Sequence, residues 1–303
     1  MLKTEEIQAF VQIAHSGTLT AAAAQLQVAK SALSRRLAEL EARLGVELFH
    51  RSTRKLSLTE SGRQFYEYCV RILDDLTEAE HSVSQQHQDV SGQIKVAAPL
   101  SFGLMHLGPA MIEFQQRHPG IRFDIDFNDR EVDLIQEGYD VGIRIAELKD
   151  SSLIARKLAT LSMVVCASAE YLRQHGEPQT PMDLQQHQCL TYSYLPHPDH
   201  WTFRDRQGEV INVRVNTTLS SNNGGFMCDA ALAGLGIVRQ PTFIAYQAIA
   251  SGKLIPVLRD YEIASYNAYA IYPPTRHLSR RVRQFVDFLV ERFAGQPYWE
   301  RID

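Results

Sequence analysis

The residues best placed to do chemistry lie between Lys30 and Lys55, and their chemistry is hydrogen bonding to a polyanion. In "VAKSALSRRLAELEARLG", Leu33, Leu37, Leu40 and Leu44 share one stripe at helical spacing, which leaves Lys30, Ser31, Ser34, Arg35 and Ala38 on the opposite side. Small residues let such a helix seat deeply in a groove. Lys30, Ser31 and Ser34 can contact bases or phosphates, and the Arg35 fork can donate two bonds to a guanine edge. Arg36 lies to the side of the stripe, where it either pairs with Glu39 or Glu41 or touches phosphate. The plainer reading of the same pattern is an amphipathic helix with a solvated face.

No comparable pattern supports catalysis or metal binding. Cys69, Cys166, Cys189 and Cys228 form no C-x-x-C pair and read as reduced thiols. The histidines lack H-E-x-x-H spacing, and there is no G-x-S-x-G or phosphate loop. "GLG" at Gly234–Gly236 precedes a strand, whereas a dinucleotide fingerprint opens a helix. The expectation is a protein that is not an enzyme and carries no cofactor.

The elements that must position these residues suit a globular chain of 303 residues with 45% hydrophobic content, enough for more than one domain. It has no apolar run long enough for a membrane span and no secretory pattern at "MLKTEEIQAF", so a cytoplasmic protein is expected. The net charge of −4 is unevenly spread. Seven Lys/Arg face three Glu between residues 30 and 55, while the rest of the chain is acidic, so only the head is suited to meet a polyanion.

"TEEIQAFVQIAHSG" predicts a first helix ending at Ser16-Gly17, and "TLTAAAAQLQ" a second, with Thr18 and Thr20 as capping candidates and alanines that allow close approach. With the leucine-striped helix these form a helix-turn-helix. "LFHRSTRKLSL" reads as a wing whose basic tip runs from Arg51 to Lys55. Phe65, Cys69, Ile72, Leu76, Ala79 and Val83 then recur at heptad steps, a seam for a second copy of the chain or for packing on its own. "SVSQQHQDVSGQ" reads as a linker with a domain boundary near Ser91-Gly92.

Beyond it strands and helices alternate. Strands are expected at "QIKVAAP", "IRFDIDF", "YDVGIRI", "LSMVVCAS", "VINVRVNT", "IVRQP" and "NAYAIYP". Helices are expected from Phe102 to Arg117, at "EVDLIQEG", through "GGFMCDAALAGLG", and from Leu278 to Phe293. The pattern predicts α/β architecture with a mostly parallel sheet.

In this order the elements resemble a LysR-type transcriptional regulator along the whole chain. The resemblance is most specific at "SGTLTAAAAQLQVAKSALSRRLAELEARLGVELFHRSTRKLSLTESG" and at "DREVDLIQEGYDVGIRIAELKDSSLIARKL". It implies an α/β multidomain chain: a helix-rich winged helix-turn-helix (1–60), a coiled-coil linker helix for dimerisation (61–90), and a two-lobed α/β domain like a type 2 periplasmic binding protein (91–303). Lobe one would span about 93–162 and 267–303, and lobe two about 163–266. Ala29 departs from the Ser or Thr the family usually carries at the start of the recognition helix. Ser31 or water would have to replace that cap.

The implied partners are double-stranded promoter DNA, a second copy of the chain as dimer or tetramer, a small-molecule effector and RNA polymerase. Arg51, Thr53 and Arg54 would hold the wing on the DNA backbone or in the minor groove. For the effector, a small organic anion, two helix starts offer free N–H groups: Leu100, Ser101 and Phe102 in "PLSFG", and Ser220, Ser221, Asn222 and Asn223 in "SSNNGG". Asn128 and Arg144 would line the cleft by resemblance, with Phe102, Trp201 and Phe226 available to stack on a ring. Each has a plainer role. Ser101 and Asn223 can be helix caps, Arg144 can pair with Asp140 or Glu147, and Trp201 can be core. The rival reading, a solute-binding protein with a helical extension, predicts export.

Overall fold

The computed structural model describes residues 2–51, 56–83, 90–146, 153–274 and 278–301. They fall into two compact units, residues 1–93 and 94–303.

In the first unit, α1 (Thr4–Ser16), α2 (Leu19–Gln25) and α3 (Lys30–Leu44) precede an antiparallel wing of β1 (Phe49–Arg51) and β2 (Leu56–Leu58), and α4 (Glu60–Val83) follows. Gly17, at φ +65°, ends α1, and the Thr18 hydroxyl caps α2 by accepting from Ala21 N at 3.2 Å. Leu33, Leu37 and Leu40 bury one side of α3 among Ile7, Phe10, Ile13 and Ala22. Two buried carboxylates lock this core. Glu6 takes both guanidinium N–H bonds of Arg43 at 2.8 and 2.9 Å, which hold its carboxyl below the usual carboxylate range. Glu41 accepts from Leu48 N at 2.8 Å and Phe49 N at 3.3 Å, tying the wing to α3. At Gly62 a Cβ would stand 2.0 Å from the Leu48 carbonyl oxygen, so only glycine lets α4 approach the wing this closely.

The heptad seam of α4 divides. Phe65 and Cys69 turn inward, Phe65 against Phe10 with ring centroids 5.1 Å apart, while Tyr68, Ile72 and Leu76 are exposed. The single continuous stripe expected from the heptads is thus two faces, because α4 must also cover the core beside α1.

In the second unit β3 (Gly92–Ala98) leads into an unbroken helical run: α5 (Leu100–Phe102), a π-helical turn (Gly103–Leu107) and α6 (Gly108–Arg117). Then come β4 (Ile121–Phe127), β5 (Val141–Ala146), β6 (Ile154–Leu161), β7 (Met163–Ser168), α7 (Ala169–His175), β8 (Gln188–Tyr192), β9 (His200–Arg204), β10 (Val210–Arg214) and β11 (Asn216–Ser221). The chain ends through α8 (Gly224–Leu232), β12 (Ile237–Pro241), α9 (Thr242–Ala250), β13 (Leu254–Val257), β14 (Tyr266–Tyr272) and α10 (Arg280–Arg292). Two five-stranded sheets result, β4-β3-β5-β14-β6 and β11-β8-β12-β7-β13, with β9-β10 a separate hairpin.

Three expectations are corrected. The sheets are mixed rather than mostly parallel: β3/β5, β8/β11 and β8/β12 run parallel, but β14 and β7 are antiparallel to both neighbours. The cause is the double crossing of the chain, which passes from β6 in one sheet to β7 in the other through Ser162 alone. "EVDLIQEG" forms turns instead of a helix, since Asp133 Oδ1 accepts from both Ile135 N and Gln136 N at 3.0 Å. "VINVRVNT" is two strands, divided at Val215, whose N–H turns to the Asp199 carbonyl at 2.9 Å.

The carboxyl-terminal segment fastens the first crossing. Glu300 Oε1 accepts from Ser162 N at 3.0 Å and Thr242 Oγ1 at 2.6 Å. Nearby, His106 on the π-helical turn is buried against Phe243, Tyr246, Tyr298 and Trp299. Its Nε2 faces the Phe243 carbonyl at 3.1 Å and must carry the proton, so Nδ1 accepts from the Tyr298 hydroxyl at 2.6 Å. Burial pushes this imidazole down to about 4 from 6.5. A base with a lowered folded pKa contributes fully above the unfolded value and loses that contribution as pH falls through the folded one. Unfolding followed by tryptophan fluorescence reports this unit alone, because Trp201 and Trp299 are the two tryptophans. Between pH 6.5 and 4 its stability should fall by up to ~3 kcal/mol on account of His106. The His106→Phe variant should show a flatter pH slope, and an unchanged slope would assign the loss to other groups.

Candidate nucleic-acid interface and effector cleft

Burial of the leucine stripe on α3 leaves Lys30, Ser31, Ser34 and Arg35 exposed together. The Arg35 side chain is 79% exposed, and its Nε lies 3.5 Å from Glu39, an exposed i,i+4 pair that stabilises by only a few tenths of a kcal/mol and yields readily to a better acceptor. Arg36 turns away from that face and pairs across to Glu5 of α1 at 3.4 Å, rather than with Glu39 or Glu41. The N-cap of α3 is Ala29, with extended backbone and no side-chain bond, so Ser31 does not replace the missing hydroxyl. The first-turn N–H groups therefore lack a side-chain cap at a partially positive helix end, beside Lys30. Arg51 pairs with Leu56 in the wing ladder. Thr53 and Arg54 lie outside the described residues.

In the second unit the two helix starts face each other. The Ser101 hydroxyl lies 3.9 and 3.8 Å from where a Cβ on Gly224 or Gly225 would stand, at the first turn of α8. A Cβ on Gly224 would also meet the Ile244 Cδ1 methyl at 2.4 Å, so a larger residue there would require the Ile244 side chain to shift. Asn223 caps α8, its Oδ1 accepting from Phe226 N at 2.8 Å, and Ser221 Oγ accepts from Asn223 N at 3.1 Å. Asn222 donates to the Tyr194 hydroxyl at 3.1 Å, and Phe226 is 53% exposed.

At the other start, Leu100 N donates to Asp129 Oδ1 at 2.9 Å. The Tyr192 hydroxyl, from the opposite sheet, stands near enough to Asp129 for the two to interact electrostatically. Burial raises both groups above their ordinary values. On β12, Gln240 is 2% exposed with neither amide atom hydrogen-bonded, and its polar neighbour is the Cys228 thiol, a weak acceptor.

The chain's relatives agree with this geometry. The family described as "LysR substrate binding domain" matches residues 87–294, and that described as "Bacterial regulatory helix-turn-helix protein, lysR family" matches residues 4–63. The chain is 37% identical to the HTH-type transcriptional regulator CrgA of Neisseria meningitidis serogroup B, over 96% of this chain and 97% of the relative. It is 35% identical to the HTH-type transcriptional regulator DmlR of Escherichia coli, over 95% and 94%. The solved structure of CrgA, a LysR-type transcriptional regulator from Neisseria meningitidis, superposes with a TM-score of 0.63 at 35% identity, covering 97% of this chain and 100% of that one. The chain belongs to the LysR family. It is a LysR-type transcriptional regulator, with a DNA-binding helix-turn-helix and a substrate-binding domain.

Within this LysR-type frame the site differs from its sequence reading at several residues. Leu100, Ser101, Ser221, Asn222 and Asn223 do gather at the facing helix starts. Trp201 and Phe102 do not serve as platforms. Trp201 is 1% exposed in the core of the second sheet, bonded to the Pro198 carbonyl and covered by Arg239, and Phe102 is buried against Phe243, Phe293 and Trp299. Each follows from alternation or helical phase, which turns the ring inward. Arg144 is paired with Glu131 at 2.6 Å rather than with Asp140, and Glu147 lies outside the described residues. Asn128 is spent on its own turn, donating to Asp126 and accepting from Arg130 N.

Sequence reasoning missed Asp129, Tyr192 and Gln240 in the cleft, and Glu6, Arg43 and Glu41 beneath the interface. Glu41 did carry a signal. It falls four residues after Leu37, an acid on an apolar stripe, which needs buried partners. No helix among the described residues is long and apolar enough to cross a membrane. The uncapped start of α3 is directly testable: Ala29→Ser should raise the stability of the amino-terminal unit by about 1 kcal/mol in urea unfolding, and no gain would mean that another group already satisfies that turn.

Proposed function

We propose that this LysR-type regulator binds promoter DNA by seating α3 in the major groove, with Arg35 reading a guanine edge and Lys30, Ser31 and Ser34 on bases or phosphates. Arg51, Thr53 and Arg54 of the wing hold the adjacent backbone or minor groove. The observation that carries this reading is the outward face of α3. Its leucines are buried and fixed, its small and basic residues are free of packing, and its one acid, Glu39, holds Arg35 only at the surface. Arg36 belongs more to the support of α3 through Glu5 than to the DNA.

Residues 1–60 then form the DNA-binding domain, 61–90 the dimerising linker and 91–303 the effector domain, with lobes at about 93–162 plus 267–303 and about 163–266. The exposed Tyr68, Ile72 and Leu76 on α4 support pairing with a second copy, Tyr68 lining a groove of about 330 Å³ with Leu44, Val46, Leu48 and Phe65. The assembly is a homodimer, or a tetramer of two dimers, on an interrupted palindrome. The effector is a small organic anion received between the starts of α5 and α8, where first-turn N–H groups and helix dipoles favour negative charge. Its binding shifts the lobes and so alters DNA bending and contact with RNA polymerase. The protein works in the cytoplasm and catalyses no reaction, a reading supported by relatives named as transcriptional regulators.

The Arg35→Ala variant should lose ~1–3 kcal/mol of discrimination between operator and random DNA while still dimerising. Operator selectivity equal to wild type in a competition gel-shift would remove Arg35 from base reading. Operator affinity should also fall by orders of magnitude between roughly 50 and 200 mM salt, and a flat profile would contradict phosphate contact by the basic head.

A further inference from the structure

We propose that Asp129 is the cleft's own occupant: its carboxylate holds the place at the start of α5 that an effector carboxylate takes, and a ligand enters by displacing it. This rests on the reading of the cleft as an anion site and specifies how that site is regulated.

Three features carry it. Asp129 accepts from Leu100 N, the first N–H of the helical run that continues to Arg117, at 2.9 Å. Its neighbour, the Tyr192 hydroxyl, belongs to β8 in the opposite sheet, so this carboxylate stands between the two lobes. The cleft is also shut, with Ser101 lying against the first turn of α8. An internal carboxylate thus sits between the lobes, where the helix end and a phenolic hydroxyl converge.

The occupant is held weakly enough to leave. Arg130, the adjacent cation in the chain, is engaged by Glu137 and Asp126, and burial of the Asp129 carboxylate is unfavourable. The site also contains a polar group that Asp129 leaves unused. Val238 of β12 stands beside Leu190 of β8 in parallel register, so two residues further on Gln240 and Tyr192 share one face of the sheet. The Gln240 amide, buried and without a hydrogen bond, is a further donor beside the tyrosine. An incoming carboxylate would take the Leu100 N–H, which Asp129 uses, together with the Tyr192 hydroxyl and the Gln240 amide.

The test is calorimetric titration of acetate into the full-length protein at constant ionic strength, comparing wild type with Asp129→Ala and Asp129→Asn. Emptying the place should tighten acetate binding by about tenfold or more in Asp129→Ala, the effect of one exposed buried donor. Asp129→Asn, which keeps the side-chain size and an acceptor for Leu100 but removes the charge, should fall between and serves if the alanine variant does not fold. Equal acetate affinity in the folded proteins would overturn the displacement while leaving the anion cleft standing. Absence of acetate binding in all of them would overturn both.

Discussion

The burial of Leu33, Leu37 and Leu40 fixes the rotation of α3 about its own axis, and the rest of the amino-terminal unit is arranged around that constraint. Each leucine removed from water stabilises by roughly 1.5–3 kcal/mol, far more than any exposed ion pair on the same helix. A turn of the helix that buried Arg35 would expose the stripe and bury a charge at once. The polar locks act in the same sense. Glu6 with Arg43 joins α1 to α3, and Glu41 joins α3 to the wing, so that α3 and the wing are tied to one core. The outward side chains of α3 then point in directions set by the apolar packing behind them.

The cleft follows a different logic. Its partners are brought together by the approach of the two helix starts, with Ser101 lying against the first turn of α8 at Gly224 and Gly225. Asp129 and Tyr192 face each other across the cleft, and the crossing is fastened by Glu300 on Ser162 and Thr242. A ligand shifts such a system only by binding one arrangement more tightly than the other. In the displacement proposed for Asp129, competition between an internal and an external carboxylate would supply that difference without a new hinge.

The helix-turn-helix was legible in the sequence because it is written in local periodicity: leucines at helical spacing, a threonine cap at Thr18, a glycine stop at Gly17. The same holds for the strand "IRFDIDF" and the helix from Arg280. What the sequence concealed depends on pairing between distant segments. The strand at Ile154–Leu161 has no clean alternation, and β8, β9 and β13 are short strands embedded in polar or turn-rich stretches. The antiparallel placement of β7 and β14 reflects the double crossing, which leaves no local trace. Trp201 and Asp129 illustrate the limit for the site. An aromatic ring in a loop-rich region looks available until its strand phase turns it inward, and an acid after a strand looks like surface until the start of α5 claims it.

The most direct test of the central claim is chemical protection of guanine N7, an atom of the major-groove edge, on promoter DNA bound by the full-length protein. If α3 enters the major groove from two subunits, N7 is protected in two patches about 10 base pairs, or a multiple of that, apart, and Arg35→Ala removes protection at one guanine in each. Protection confined to adenine N3 in the minor groove, with every guanine N7 still reactive, would contradict it.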